Sequence, residues 1–248
     1  KTNEIIEKTE RLKKGLMQEL LTKGIGHKEF KDTEIGRIPK EWEVVRLINI
    51  GKVVNGFGFP IKYQGKRDGK YLFIKVDDTN LPGNTKYIFT AKNTIDDDLT
   101  QLLRVKIYPP GTIIFPKIGM VIYLRKVRIL ARYGTFDNNI MGIIPNEDVI
   151  DKEFLYYCFL EKINLTRLAR RTTAPSIRKS EVEKLKVPLP PLKEQKKIVE
   201  ILSIIDEKLE IQRKEKERLE RIKQALMELL LTGKVRVKVN DVHRKGHC

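Results

Sequence analysis

The sequence is poor in the residues that most catalytic and metal chemistry needs. Among 248 residues there are three histidines, two cysteines and one tryptophan. Cys158 and Cys248 cannot build a disulfide framework, which makes the cytoplasm the expected compartment. Cys158 lies in an apolar run and is expected to fill core space. His27, His243 and His247 sit near the ends, none at metal-ligand spacing from a cysteine. No apolar run reaches the roughly 18 residues of a membrane span, and no signal peptide is seen. Walker A and dinucleotide fingerprints are absent. Neither a cofactor nor a metal is expected.

Nucleic-acid chemistry leaves no signature either. Amino-methyltransferases hold the target amine with an Asn/Asp-Pro-Pro-aromatic motif, but Pro109-Pro110 and Pro190-Pro191 have other neighbours. Common metal-dependent nucleases pair Pro-Asp with a later Asp/Glu-x-Lys, and Glu194-Gln195-Lys196 supplies only the second part. Asp96-Asp97-Asp98 reads as a solvated acidic loop. Nothing sets a nucleophile beside a base, so a non-catalytic chain is expected.

Negative charge is in short supply. Fifty Lys and Arg stand against 33 Asp and Glu, a net charge of +17. That excess asks for a polyanion, nucleic acid ahead of an acidic membrane surface. Two stretches carry no acid at all. Residues 117–133 hold Lys117, Arg125, Lys126, Arg128 and Arg132, with Tyr123 and Tyr133 interleaved. Residues 167–179 hold Arg167, Arg170, Arg171, Arg178 and Lys179 around the small polar loop Thr172-Thr173-Ala174-Pro175-Ser176. Arginine can bond a guanine edge or a phosphate, and hydroxyls can do either. The expected DNA contacts are Lys117, Arg125, Lys126, Arg128, Arg132, Arg170, Arg171, Thr172, Thr173, Ser176, Arg178 and Lys179, with Lys62, Tyr63, Gln64, Lys66 and Arg67 from a third polar stretch. A solvated basic surface is the alternative.

The two ends of the chain repeat each other. RLKKGLMQELLT at 11–22 returns as RIKQALMELLLT at 221–232, with Arg, Lys, Leu, Met, Leu, Leu and Thr matching at a constant offset. Both copies read as helix. The first carries Ile5, Leu12, Leu16 and Leu20 and ends near Gly24. The second starts after Pro188-Leu189-Pro190-Pro191 and carries Ile198, Leu202, Ile205, Leu209, Leu219 and Leu226 at the steps of a coiled-coil seam. From Leu192 to Thr232 it would extend roughly 60 Å at 1.5 Å per residue. The spacing predicts an antiparallel coiled coil, residues 1–22 lying along 192–215. Leu219, Ile222, Leu226, Leu229 and Leu230 are then left uncovered, and a tail-to-tail dimer through residues 216–232 is expected to cover them.

The middle holds most of the glycines and aromatics. Short β-like runs lie at 71–76, 112–115, 121–124 and 140–144, separated by turn signals. A helix is expected from Asp151 to about Arg170, and a short one at Ser180, where Ser180-Glu181-Val182-Glu183 suggests a capping box. The glycine-rich run at 55–60 reads as a turn that brings backbone close to a neighbour. The fold class is α+β: one globular α/β domain at 35–187, flanked by long helices at 1–24 and 188–234, with a tail at 235–248.

Several of these pieces resemble the specificity subunit of Type I restriction–modification systems. IPKEWEVVRL at 38–47 resembles the start of a target recognition domain. GFGF at 56–59, YLFIKVDD at 71–78, GTIIF at 111–115 and DNNI at 137–140 follow in order, and VPLPPLKEQKKIV at 187–199 resembles the exit into a long conserved helix. The resemblance implies sequence-specific binding of duplex DNA, each of two recognition domains reading half of a split site. It also implies that methyltransferase and restriction subunits dock on the helices and supply catalysis. This chain holds one such domain, so the resemblance implies either the second half of a subunit or a natural half-subunit. The specificity module of a Type IIG or IIB enzyme, a modification enzyme with an unusual site, and a coiled-coil assembly protein with a basic domain remain as alternatives.

Overall fold

The computed structural model describes residues 2–168 and 175–235. Arg170, Arg171, Thr172 and Thr173, four of the expected DNA contacts, lie outside the described residues. In chain order the elements are α1 (Thr2–Lys23), β1 (Phe30–Thr33), β2 (Gly36–Pro39), β3 (Glu43–Arg46), α2 (Leu47–Ile50), β4 (Gly51–Asn55), β5 (Tyr71–Ile74), β6 (Tyr87–Ile88), β7 (Asn93–Ile95), α3 (Asp97–Leu102), β8 (Ile113–Pro116), β9 (Arg128–Leu130), β10 (Gly134–Phe136), β11 (Ile140–Pro145), α4 (Lys152–Glu161), α5 (Lys179–Glu183), β12 (Lys186–Leu189) and α6 (Leu192–Leu231). The described residues form two compact units, one within 15–202 and one made of residues 2–14 with 203–235.

The larger unit is built on a five-stranded sheet in the order β4-β11-β8-β9-β6. β11 lies antiparallel between β4 and β8, with Met141 opposite both Asn55 and Phe115. Side chains alternate across a strand, and here both faces are covered. Val53, Ile113, Phe115, Ile129, Met141 and Ile143 join the cluster that α4 closes with Phe154, Leu155 and Phe159. Val54, Ile114, Leu130 and Ile140 point the other way and meet Leu72, Ile74 and Phe136. Those last three come from a second sheet, β10-β5-β7. Burial on both faces explains why these strands read as unbroken apolar runs rather than as alternating ones.

The start and finish of this unit are tied together. β12 pairs antiparallel with β3, Val187 opposite Val45. One carboxylate completes the joint. Glu194 Oε1 accepts from the Ile25 backbone N–H at 2.9 Å and lies 2.8 Å from His27 Nε2. The next residue, Gln195, is fully buried; its Oε1 accepts from the Asp151 N–H, and its Nε2 donates to the carbonyls of Val149 and Pro190.

Three sequence expectations are corrected in the larger unit. The run at 121–124 is a 3-10 turn, Met120–Leu124, and not a strand. Left-handed backbone at Gly119 and Arg125 brackets it, which no extended strand tolerates. The helix from Asp151 stops at Glu161, and a separate 3-10 turn covers Leu165–Arg167. Every side chain from Phe154 to Phe159 is buried, so the apolar pattern there marks an enclosed helix. α5 starts at Lys179, one residue before the expected cap, and the Glu181 carboxylate accepts from the Arg178 N–H at 3.0 Å.

In the smaller unit, the first part of α1 and the later part of α6 run in opposite directions. Lys13 pairs with Asp206, and Glu10 with Arg213 at 2.6 Å. Thr9 and Leu209 are buried and Ile205 is half-buried. The expected α1 seam is corrected, because Ile5 and Leu12 are each 51% exposed. Ile6, Thr9 and Lys13 take the protected positions. Thr9 can do so because its hydroxyl donates to the Ile5 carbonyl, and Lys13 because a lysine stem covers apolar surface while its ammonium finds a carboxylate.

Candidate nucleic-acid interface

The C-terminal ends of β4 and β8 and the N-terminal end of β11 share one edge of the five-stranded sheet, as their registers require. Four loops leave from or return to this edge. Gly56 N–H donates to the Ile140 carbonyl and Phe57 N–H to that of Phe136. A Cβ on Gly56 would lie 1.8 Å from the Asp137 carbonyl oxygen, so only glycine allows this crossing. Lys117 N–H donates to the Asn139 carbonyl at 2.8 Å, and its own carbonyl accepts from Ile177 N–H at 2.9 Å. An isolated bridge joins Ile118 to Ser176.

The side chains gathered here are polar and basic. Lys117 Nζ donates to Asn55 Oδ1 at 2.8 Å. Burial pushes the Lys117 ammonium below the usual lysine range, and the nearby Asp137 carboxylate pulls it partly back. Burial likewise raises the Asp137 carboxyl, against hydrogen bonds from Asn139. Asp137 Oδ1 accepts from the Asn139 N–H at 2.9 Å, an Asx turn that leaves the Asn138 side chain in solvent. Asparagine at a loop tip can bond an adenine edge bidentately, and a lysine beside it can meet a phosphate or a guanine.

The sequence-predicted contacts fall into different places. Lys117 and Ser176 come together at this edge, and Arg178 and Lys179 follow as exposed residues at the head of α5. Arg125 is exposed at the end of the 3-10 turn, and Lys126 donates to Asn80 Oδ1. Lys62, Tyr63, Gln64, Lys66 and Arg67 belong to a strap along β7, held where Gly65 N–H donates to Asn93 Oδ1 and Thr94 N–H to the Lys66 carbonyl. Gln64 bridges Phe59 and Lys75, and Lys66 pairs with Asp96. Arg67 is exposed and reaches a groove it shares with Lys75, Asp77, Asp78 and Lys92.

Two arginines behave unlike their neighbours. Arg128 is a strut: Nε donates to the Asn84 carbonyl, Nη1 to Val127 and Nη2 to Thr79. Burial lowers its pKa. Arg132 is carried across the sheet by β9, which runs antiparallel to β8, so it emerges at the edge opposite Lys117. A basic stretch that looked continuous in the sequence is divided by the strand inside it. Asn55, Asn138 and Asn139 join the candidate site although the sequence reading does not single them out; the available signal is an asparagine next to each close backbone crossing, in NGFGF and DNNI.

Among the described residues no three His, Cys, Asp or Glu side chains are grouped to hold a metal ion. No described helix is long and apolar enough to cross a membrane.

With this geometry in place, the chain can be set beside known proteins. Residues 39–221 match the family model described as Type I restriction modification DNA specificity domain. The Type I restriction enzyme MjaVIII specificity subunit of Methanocaldococcus jannaschii is 35% identical over 95% of this chain and 56% of its own length. The putative MjaX specificity subunit of the same organism is 35% identical over 95% of this chain and 53% of its own. The chain thus spans about half the length of these curated relatives. A crystal structure of the HsdS subunit from Thermoanaerobacter tengcongensis has a similar fold, with TM-score 0.60 at 18% identity, covering 94% of this chain and 53% of that one. The chain belongs to the family of Type I restriction–modification DNA specificity domains.

Proposed function

We propose that this chain reads one half of a bipartite duplex DNA site, as a specificity half-subunit of a Type I restriction–modification complex. The observation that carries the reading is the meeting of Asn55, Lys117, Asn138 and Ser176 at one sheet edge of a chain with net charge +17. Phosphate contacts position such a protein and base-edge contacts give it sequence choice. The chain supplies recognition and catalyses nothing; methyltransferase and restriction subunits dock on its helices and carry out the chemistry in the cytoplasm. The relatives' designation as specificity subunits supports the same division of labour.

Half a site gives weak binding, and a second recognition domain would complete it. Leu219, Ile222, Leu226 and Leu230 on α6 are all between 44% and 53% exposed. Ile222, Leu226 and Leu230 fall in the repeat of α1 and Leu219 lies just before it, so a second copy of the chain can cover them by presenting the same surface about a two-fold axis.

Fluorescence anisotropy against mixed-sequence duplex DNA, single-stranded DNA and RNA, across a salt series, tests the first reading. Duplex DNA should bind best, with a log–log slope of roughly −0.9 per phosphate neutralised. A salt-insensitive affinity, or a preference for single-stranded RNA, would overturn it.

A further inference from the structure

The 3-10 turn Met120–Leu124 has an unusual surface. Met120 is 71% exposed, Tyr123 45% and Leu124 62%. Met120 and Tyr123 are three residues apart and stand on the same face, since a 3-10 turn repeats every three residues. The turn is nevertheless firmly held. Ile122 is buried at 1% between them. Gly119 N–H donates to the Pro175 carbonyl at 2.8 Å, and Ile118 bridges Ser176. Left-handed backbone at Gly119 (φ 81°) and at Arg125 (φ 46°) bends the chain into and out of the turn. A non-glycine residue in that conformation is strained, and strain of this kind collects at binding loops.

The setting of the apolar tip names its occupant. Lys117 precedes it, Arg125 and Lys126 follow it, and no acidic residue occurs from 117 to 133. The turn packs against the 3-10 turn Leu165–Arg167, where Arg167 is exposed. Protein–protein interface cores are depleted in lysine. DNA-binding loops, by contrast, combine basic residues with apolar wedges of Leu, Met or Phe that lie in a groove or enter a base step.

We propose that Met120, Tyr123 and Leu124 form such a wedge, touching sugars and bases of duplex DNA while Lys117 and Lys126 take phosphates on either side. The proposal rests on the DNA-binding reading above and adds a contact that is insensitive to charge.

The test begins by selecting duplexes from a randomised pool with the full-length wild-type chain. Failure to enrich any duplex would sink the DNA-binding reading itself. With an enriched duplex in hand, Met120→Ser/Leu124→Ser, Tyr123→Ser and Lys117→Ala are compared over a salt series. The wedge variants should bind about tenfold or more weakly with an unchanged salt slope, because no phosphate contact is lost. Lys117→Ala should flatten the slope by about one. Melting temperatures of the wedge variants should stay near wild type, as the substituted side chains already face water. Wild-type affinity in both wedge variants would overturn the proposal and leave the patch to a protein partner. A flattened slope in them would overturn it too, by showing that the turn only positions charges.

Discussion

The Glu194 carboxylate accepts a hydrogen bond from the Trp42 indole, Nε1 to Oε2 at 3.0 Å, across 152 residues of sequence. Trp42 is completely buried, and a buried indole N–H needs an acceptor. The other carboxylate oxygen serves the Ile25 N–H and the His27 ring. Three segments therefore converge on one side chain: the exit from α1, the loop before β3, and the first turn of α6.

Replacing Glu194 by alanine leaves the indole and the Ile25 N–H without their acceptor. The orphaned indole costs about 1–3 kcal/mol, whereas the N–H of exposed Ile25 can turn to water, so urea unfolding should show a loss of about 1–3 kcal/mol in all. Glu194→Gln keeps one acceptor oxygen and should lose less. Equal and small losses in both would show that water replaces the carboxylate. Trp42→Phe removes one donor without stranding the carboxylate and should be the mildest of the three.

Arg128 and Lys117 are expected to separate stability from binding. Arg128→Ala strands the carbonyls of Asn84, Thr79 and Val127. Unfolding free energy should fall by about 1–3 kcal/mol, while the salt slope of DNA binding stays as it was. Lys117→Ala should do the reverse, since among the described residues its side chain gives a single hydrogen bond, to Asn55. Arg132→Ala should change neither. A strong binding defect in the Arg132 variant would place DNA at the opposite sheet edge.

Acid should loosen the strap at residues 61–70 before it unfolds the core. Asp96 is held below the usual 3.8 chiefly by the Lys66 side chain and the Lys70 N–H, and Asp97 by Lys70 and the Tyr71 hydroxyl. A carboxylate whose pKa is depressed by folding contributes stability that is complete above its unfolded value and disappears as the pH falls through its folded value. The contribution is therefore lost below about pH 4 and intact at neutrality. Amide chemical shifts of Lys66 and Lys70 should move in that window while those of β8 and β11 do not. In Asp96→Asn/Asp97→Asn the shifted state should already be present at pH 7. A strap that titrates together with the core would show that these pairs are incidental. All four charges are solvent-exposed, so the effect on global stability is small.

Much of this architecture is legible in the sequence, for reasons that can be named. The sheet strands at 71–74, 113–116 and 140–145 announced themselves because both faces are buried and their apolar runs are unbroken. Gly24 and Pro190-Pro191 marked the ends of α1 and α6 through backbone chemistry that few other residues supply. The 3-10 turn at 120–124 was misread because Val121-Ile122-Tyr123-Leu124 has strand composition, and composition does not report that three large side chains face water. The α1 seam was misread because Thr9 and Lys13 occupy sheltered positions that a purely apolar count assigns to Ile5 and Leu12. The candidate site was half legible. Lys117 and Ser176 stood out by charge and polarity, whereas the pairing of 117–119 with 175–177 is long-range and leaves no local trace.

The last prediction concerns the far end of α6. Beyond Leu209 the helix shows no buried side chain, and Leu219, Ile222, Leu226, Leu229 and Leu230 are all exposed. Covering such a side chain is worth about 1.5–3 kcal/mol each, and an apolar stripe of this length on a soluble surface usually marks an interface. From Ile222 on, the stripe lies in the repeat of α1, whose own Leu16, Met17, Leu20 and Leu21 are half-buried to buried within the larger unit. A second copy, joined tail to tail through residues 216–232, would cover the stripe and place two recognition domains in one particle. Sedimentation equilibrium at micromolar concentration should return the mass of a dimer. Leu219→Glu/Leu226→Glu should return a monomer with an unchanged melting transition of the larger unit, and should weaken binding to a bipartite duplex far more than to a half-site. A wild-type monomer, or a dimer that survives both charges, would assign the stripe to a different protein.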